Sequence, residues 1–182
     1  MVPGIGAFYN GALHPLATPA QLMALLALGL LVGQHMQAST NAAAKAPLLG
    51  LLVALVVGLL LHRVARDPDT ERVLLVLAAV MGVATAAARS LPAPVLVALA
   101  LATGAAVALG SGPEGVDGKD RWLMLAGSGF ASLLTSSYVA VMVSMAQPAW
   151  LKIAVRVVAS WITAAALLVL ALAVAMLRRG GT

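Results

Sequence analysis

Residues 150–177 read WLKIAVRVVASWITAAALLVLALAVAML, and from Val157 to Leu177 the run carries no charge. At 1.5 Å per helical residue such a run exceeds the roughly 30 Å hydrocarbon core of a bilayer, so it predicts a membrane-crossing helix. Working back toward the N-terminus, apolar stretches of similar kind predict further helices over about 19–37, 47–66, 71–90, 94–109 and 120–146. The breaks between them are chemically marked. Thr18 and Pro19 form a cap and first-turn proline, and Ser39-Thr40-Asn41 closes that helix. Asp67-Pro68-Asp69-Thr70-Glu71 makes a tight turn in which Thr70 or Asp69 caps the next helix, with acidic residues against its N-terminal dipole. Leu91-Pro92-Ala93-Pro94, the glycine-rich loop Gly110 to Lys119 and Gln147-Pro148 supply the remaining breaks. The expected fold is all-α and integral to the membrane, one transmembrane domain over residues 1–182 built as a bundle of about six spanning helices.

Composition points the same way. Of 182 residues, 62% are hydrophobic and 9% charged, and the mean hydropathy of +1.03 exceeds what a soluble domain of this size buries, so the excess must face lipid. A transmembrane barrel would show short alternating segments instead. The 11 Lys and Arg residues stand singly or in pairs near helix ends, as topology signals and headgroup anchors do, so no nucleic-acid partner is expected. With no cysteine, disulfides, thiolate metal sites and Cys nucleophiles are excluded. Eight dispersed methionines read as packing residues. No nucleophile–base set, P-loop or dinucleotide fingerprint is visible, so neither catalysis nor a bound cofactor is expected.

Pro3, Gly4, Gly6, Gly11 and Pro15 interrupt residues 1–17, which predicts a short interfacial or re-entrant lead-in. The start Met-Val-Pro-Gly lacks the basic region of a secretory signal, so the N-terminus reads as mature. Six spans would put Arg63, Arg66, Arg72, Lys119, Arg121, Arg178 and Arg179 on the side of the termini, and Lys45, Arg89, Lys152 and Arg156 on the other. The positive-inside rule then places both termini in the cytoplasm. All six acidic residues fall on the side of the termini with His14 and His62, and His35 lies opposite.

Several constellations are candidates for function. Phe8-Tyr9-Asn10-Gly11-Ala12-Leu13-His14-Pro15 is a polar-aromatic stretch entering a membrane helix. A histidine at that depth is either a ligand for a borderline divalent ion or a hydrogen-bond partner for a neighbouring helix end. His14 and His62 can approach at one face, whereas a continuous helix would hold His14 and His35 about 30 Å apart. Ser128, Ser132 and Ser136 recur every fourth residue and share a face, as pathway lining or as a close-packing stripe. Gly29 and Gly33 form a small-xxx-small motif for helix contact, inside the bundle or between protomers. Lys152, Arg156 and Ser160 share a face of the last helix, and Arg156 is deep enough to need a partner or to snorkel.

At Tyr9-Asn10-Gly11 through His14-Pro15, in Pro19-Ala20-Gln21-Leu22-Met23-Ala24-Leu25-Leu26-Ala27-Leu28-Gly29, and again in Ala154-Val155-Arg156-Val157-Val158-Ala159-Ser160-Trp161-Ile162, the chain resembles the HupE/UreJ family of hydrogenase- and urease-accessory membrane proteins. The resemblance implies a small permease in the bacterial inner membrane that passes nickel or cobalt for metalloenzyme maturation. The family's motif continues from His-Pro to an Asp-His pair, at positions held here by Ala20 and Gln21. On this reading His14 is a gating ligand, Gln21 a polar successor to the missing ligand, and Glu114 and Asp117 supply oxygen ligands from the neighbouring loop. Tyr9, Asn10 and the helix hydroxyls would line the path, and movement would be secondary or facilitated. The alternative is a non-transporting scaffold, a homo-oligomer or subunit of a larger membrane complex docking through the Gly29/Gly33 face.

Overall fold

The computed structural model describes residues 6–39, 42–61, 69–112, 116 and 118–180. Seven α-helices follow one another: α1 (Ala7–Ala17), α2 (Pro19–Ala38), α3 (Ala46–Leu61, preceded by a 3-10 turn at Ala42–Lys45), α4 (Thr70–Ala86), α5 (Ala93–Gly110), α6 (Lys119–Ser144) and α7 (Ala149–Gly180). No strand occurs among the described residues. Helices α2, α5, α6 and α7 are long and apolar enough to cross a membrane, and α3 is a shorter apolar helix. Large apolar side chains face outward, among them Phe130, Leu134, Trp161, Leu168 and Leu172. An outer surface this apolar would be a liability in water and is matched by lipid tails. These are the features of a helical membrane protein.

The most enclosed of the four long helices is α2, and α7 is the least. Leu25 and Leu28 of α2 share one continuous core with Leu74 and Met81 of α4, Leu96 of α5 and Ala140 of α6. Small residues set the closest approaches. A Cβ on Gly29 would lie 2.8 Å from the Ser136 carbonyl oxygen, and one on Gly33 2.6 Å from Val143 Cβ, so α2 and α6 meet backbone to side chain with no room to spare. Packing of this kind replaces the hydrophobic drive that lipid does not supply between helices.

Paired contacts fix the helix directions. Gln21 and Thr70 both flank Gly110, and Gln34 reaches the Thr85 carbonyl, so α2 and α4 run the same way. Leu25 meets Ser136 and Gly33 meets Ala140 and Val143, which makes α6 parallel to α2 as well. Gly50 packs on Val97 and Gly58 on Ala108, so α3 and α5 are parallel. Gly82 meets Ala159 while Ala86 meets Arg156, so α7 opposes α4. Accordingly α2, α4 and α6 finish at one end of the bundle and α7 begins there.

The structure differs from the sequence reading at the expected caps, since neither Thr18 nor Asp69 makes a side-chain cap hydrogen bond, and at two further places. The expected interruptions at Gly11 and Pro15 do not break α1, which runs through both. Gly11 is instead a contact point: its Cβ would collide with the Met124 carbonyl, and a Cβ on Gly127 would collide with the Phe8 carbonyl. Two glycines thus let the backbones of α1 and α6 touch, and that packing offsets the roughly 1 kcal/mol helix cost of glycine. Pro15 sits in the last turn of α1, close to the helix end at Thr18, and removes one backbone bond there without breaking the helix. The other difference is α4, expected to about 90 and observed to end at Ala86. Ala88 adopts a left-handed φ of 50°, and the amides of Ala88 and Arg89 bond back to the carbonyls of Thr85 and Ala84. This is a Schellman end built on alanine in place of the usual glycine. Of the helix expected over about 47–66, the part beyond Leu61 lies outside the described residues.

Candidate functional site

The α1–α2 corner carries the family-like stretch. One residue, Thr18, separates the two helices, and its amide and hydroxyl both donate to the His14 carbonyl. Because Phe8 meets Gly127 while Gly11 meets Met124, α1 runs opposite to the first half of α6 and α2 turns back along the second half. The turn brings His14 to the end of α5. Its Nε2 lies 3.3 Å from the Gly110 carbonyl oxygen. A carbonyl only accepts, so in this bond Nε2 carries the proton and the Nδ1 lone pair is left to face another group.

Gln21 reaches the same place from α2. It is 2% exposed, and its Nε2 lies 3.0 Å from the position a Cβ on Gly110 would take. Its Oε1 is buried with no hydrogen-bond partner among the described residues. A buried acceptor left open costs on the order of 1–3 kcal/mol, so such a group invites an explanation. Immediately beyond, Ser128 donates to the Ser111 hydroxyl at 2.9 Å, and Ser111 to the Val107 carbonyl at 2.6 Å. The α1–α2 corner, the end of α5 and the first half of α6 therefore meet in a small polar cluster centred on Gly110.

The other sequence candidates distribute around it. Ser132 donates back to Ser128 within α6, and Ser136 donates across to the Leu25 carbonyl at 3.1 Å. All three serines of the stripe are buried at helix contacts. Tyr9 is exposed, its ring edge-on to Phe8, and Asn10 is half-buried on the same turn. Gly29 and Gly33 face α6 within the chain. Arg156 lies at the far end, where its Nε donates 2.7 Å to the Ala86 carbonyl; His35 lines a cavity there. Glu114, Asp117 and His62 lie outside the described residues. Among the described residues no three His, Asp or Glu side chains converge, so the structure brings His14 and Gln21 together and adds main-chain and hydroxyl oxygens to them.

Sequence reasoning missed the capping roles of Gln34 and Gln37. Gln34 donates to Thr85 at the end of α4, and Gln37 to the carbonyls of Val143 and Ala146 at the end of α6. Their position in the last turns of α2 was the available signal, because a parallel neighbour ends at the same level with unsatisfied carbonyls. No family model, curated protein or solved structure matches the chain.

Proposed function

We propose that the chain is a small multi-pass permease of the HupE/UreJ type, taking nickel or cobalt as its cargo at the cluster around Gly110. The observation that carries this reading is the open Oε1 of buried Gln21, whose side chain flanks Gly110, the residue whose carbonyl His14 bonds. An acceptor with no donor, next to an imidazole with one free lone pair, is the local chemistry a divalent cation satisfies. One imidazole and neutral oxygens bind more loosely than the Asp-His pair of the resembled family, and passage requires a site that also releases its ion. Glu114 and Asp117 belong to the α5–α6 connection that follows Gly110 and would add negative charge on the approach.

Six crossings fit this role. Helices α3 and α4, of 16 and 17 residues, span about 24–26 Å at 1.5 Å per residue, close to the hydrocarbon thickness, and the alternating helix directions suit a six-pass path. On that topology the Lys and Arg balance puts both termini in the cytoplasm of a bacterial inner membrane. The scaffold alternative would need another docking face, since α6 covers Gly29 and Gly33.

Proteoliposomes loaded with a cobalt-quenched dye test the reading. Wild-type protein is expected to admit external cobalt, and His14→Ala to slow the quench by about tenfold or more, the usual scale for losing a metal-orienting group. Wild-type vesicles no faster than empty ones would contradict it.

A further inference from the structure

At the end of the bundle away from His14, a cavity of about 320 Å³ opens between the ends of α2 and α4 and the start of α7. Leu31, Leu96, Val143 and Val155 form apolar walls, while His35, Arg89, Lys152 and Arg156 line it with basic groups. No acidic residue among the described residues lines it. The sequence explains why: its six acidic residues all belong to segments 67–71 and 114–120, which lead into the starts of α4 and α6, and the cavity lies where those helices finish. The side chains of Arg89 and Lys152 have no hydrogen-bond or ion-pair partner among the described residues. Arg156 commits Nε to the Ala86 carbonyl, and its terminal nitrogens have no recorded partner among the described residues.

The backbone does not neutralise this charge. Helices α2, α4 and α6 finish at this end while α3, α5 and α7 begin there, so their opposed dipoles offset one another. Lys152 is a further anomaly, a cation in the first turn of α7 with no acidic residue in that turn, where the dipole favours an anion. Gln34, Gln37 and Arg156 Nε already satisfy carbonyls at the ends of α4 and α6, so Arg89 and Lys152 are left over from capping there. Two guanidinium groups, an ammonium and an imidazole around an apolar-walled space of ligand size make an anion site with room for more than a bare ion.

We propose that this cavity binds a phosphate-type anion, either the headgroup of an anionic phospholipid or a free phosphate ester. Basic pockets between transmembrane helices take lipid phosphates in this manner, and the apolar walls suit the acyl-chain side of a lipid. The site is chemically the inverse of the cluster at Gly110 and does not depend on what that cluster carries.

Two probes on the full-length protein separate the sources. In neutral detergent, glycerol phosphate and inorganic phosphate are titrated calorimetrically. In nanodiscs of phosphatidylcholine with and without phosphatidylglycerol, the retained lipid is read by native mass spectrometry. Phosphate binding in detergent identifies the free anion, and selective retention of phosphatidylglycerol identifies the headgroup. Either signal is expected to fall by about tenfold or more in Arg89→Gln/Lys152→Gln. That pair leaves the Arg156 cap intact, and Lys119→Gln/Arg121→Gln at the opposite end is expected to keep the signal. Absence of both signals in the wild type, or equal loss in the two double variants, would overturn the proposal.

Discussion

The two ends of this bundle use glutamine in opposite senses. Where α4 and α6 finish, Gln34 and Gln37 turn their amide nitrogens onto open helix carbonyls and close them. Where α5 finishes, His14 supplies the donor to Gly110, and Gln21 is left with a buried oxygen that nothing among the described residues satisfies. One end holds surplus donors and positive charge around a cavity, the other a surplus acceptor. The lesson is that helix polarity alone does not decide what an end can bind. The decisive quantity is what remains after the helix carbonyls are satisfied, and that remainder has opposite sign at the two ends.

The comparison can be broken most strongly at the α1–α6 crossing, which holds His14 in place. Gly11→Val drives a side chain into the Met124 carbonyl and is expected to lower stability by about 3 kcal/mol, read from detergent-titrated unfolding. Wild-type stability would mean that α1 is not packed as described. Gln37→Leu removes the donor to Val143 and Ala146 and is expected to cost about 1–2 kcal/mol. The same substitution at the other end, Gln21→Leu, should change the sign: about 1 kcal/mol of added stability from deleting an open acceptor, with slower cobalt movement. If both glutamine variants destabilise alike, the two ends are not opposites. The smallest effect is expected at Ala88, which lines the cavity beside Arg89 with its left-handed φ of 50°. Ala88→Gly relieves that conformation for a gain of roughly 0.5 kcal/mol, visible as a small rise in thermal midpoint, and a fall would argue against the alanine-based helix end.

Helices were the most legible feature. The helix expected over about 19–37 is found at Pro19–Ala38 and that over about 94–109 at Ala93–Gly110, because a first-turn proline marks those starts chemically. The end of α4 was not legible, since Ala87, Ala88 and Arg89 include neither glycine nor proline and the reversal depends on local hydrogen bonds. In α1, glycine read as a breaker became a contact point, a choice made by α6, more than a hundred residues later in the chain. The site was legible in part. A count of alternating spans set Arg89, Lys152, Arg156 and His35 on one side, but not their convergence on one cavity. That convergence needs the ends of α2 and α4 and the start of α7 to meet, which is tertiary information. Likewise Gln21 looked like a substituted ligand by resemblance, while its open oxygen appears only once Gly110 is seen beside it.

The central claim is that His14 and Gln21 form one end of a cation site. It is tested most directly by nickel binding to purified wild-type, His14→Ala and Gln21→His proteins, followed by calorimetry at fixed ionic strength. A second imidazole at position 21 is expected to tighten binding by roughly tenfold or more, and loss of the first to weaken it by a similar factor. Nickel binding that is the same in all three proteins would contradict the account.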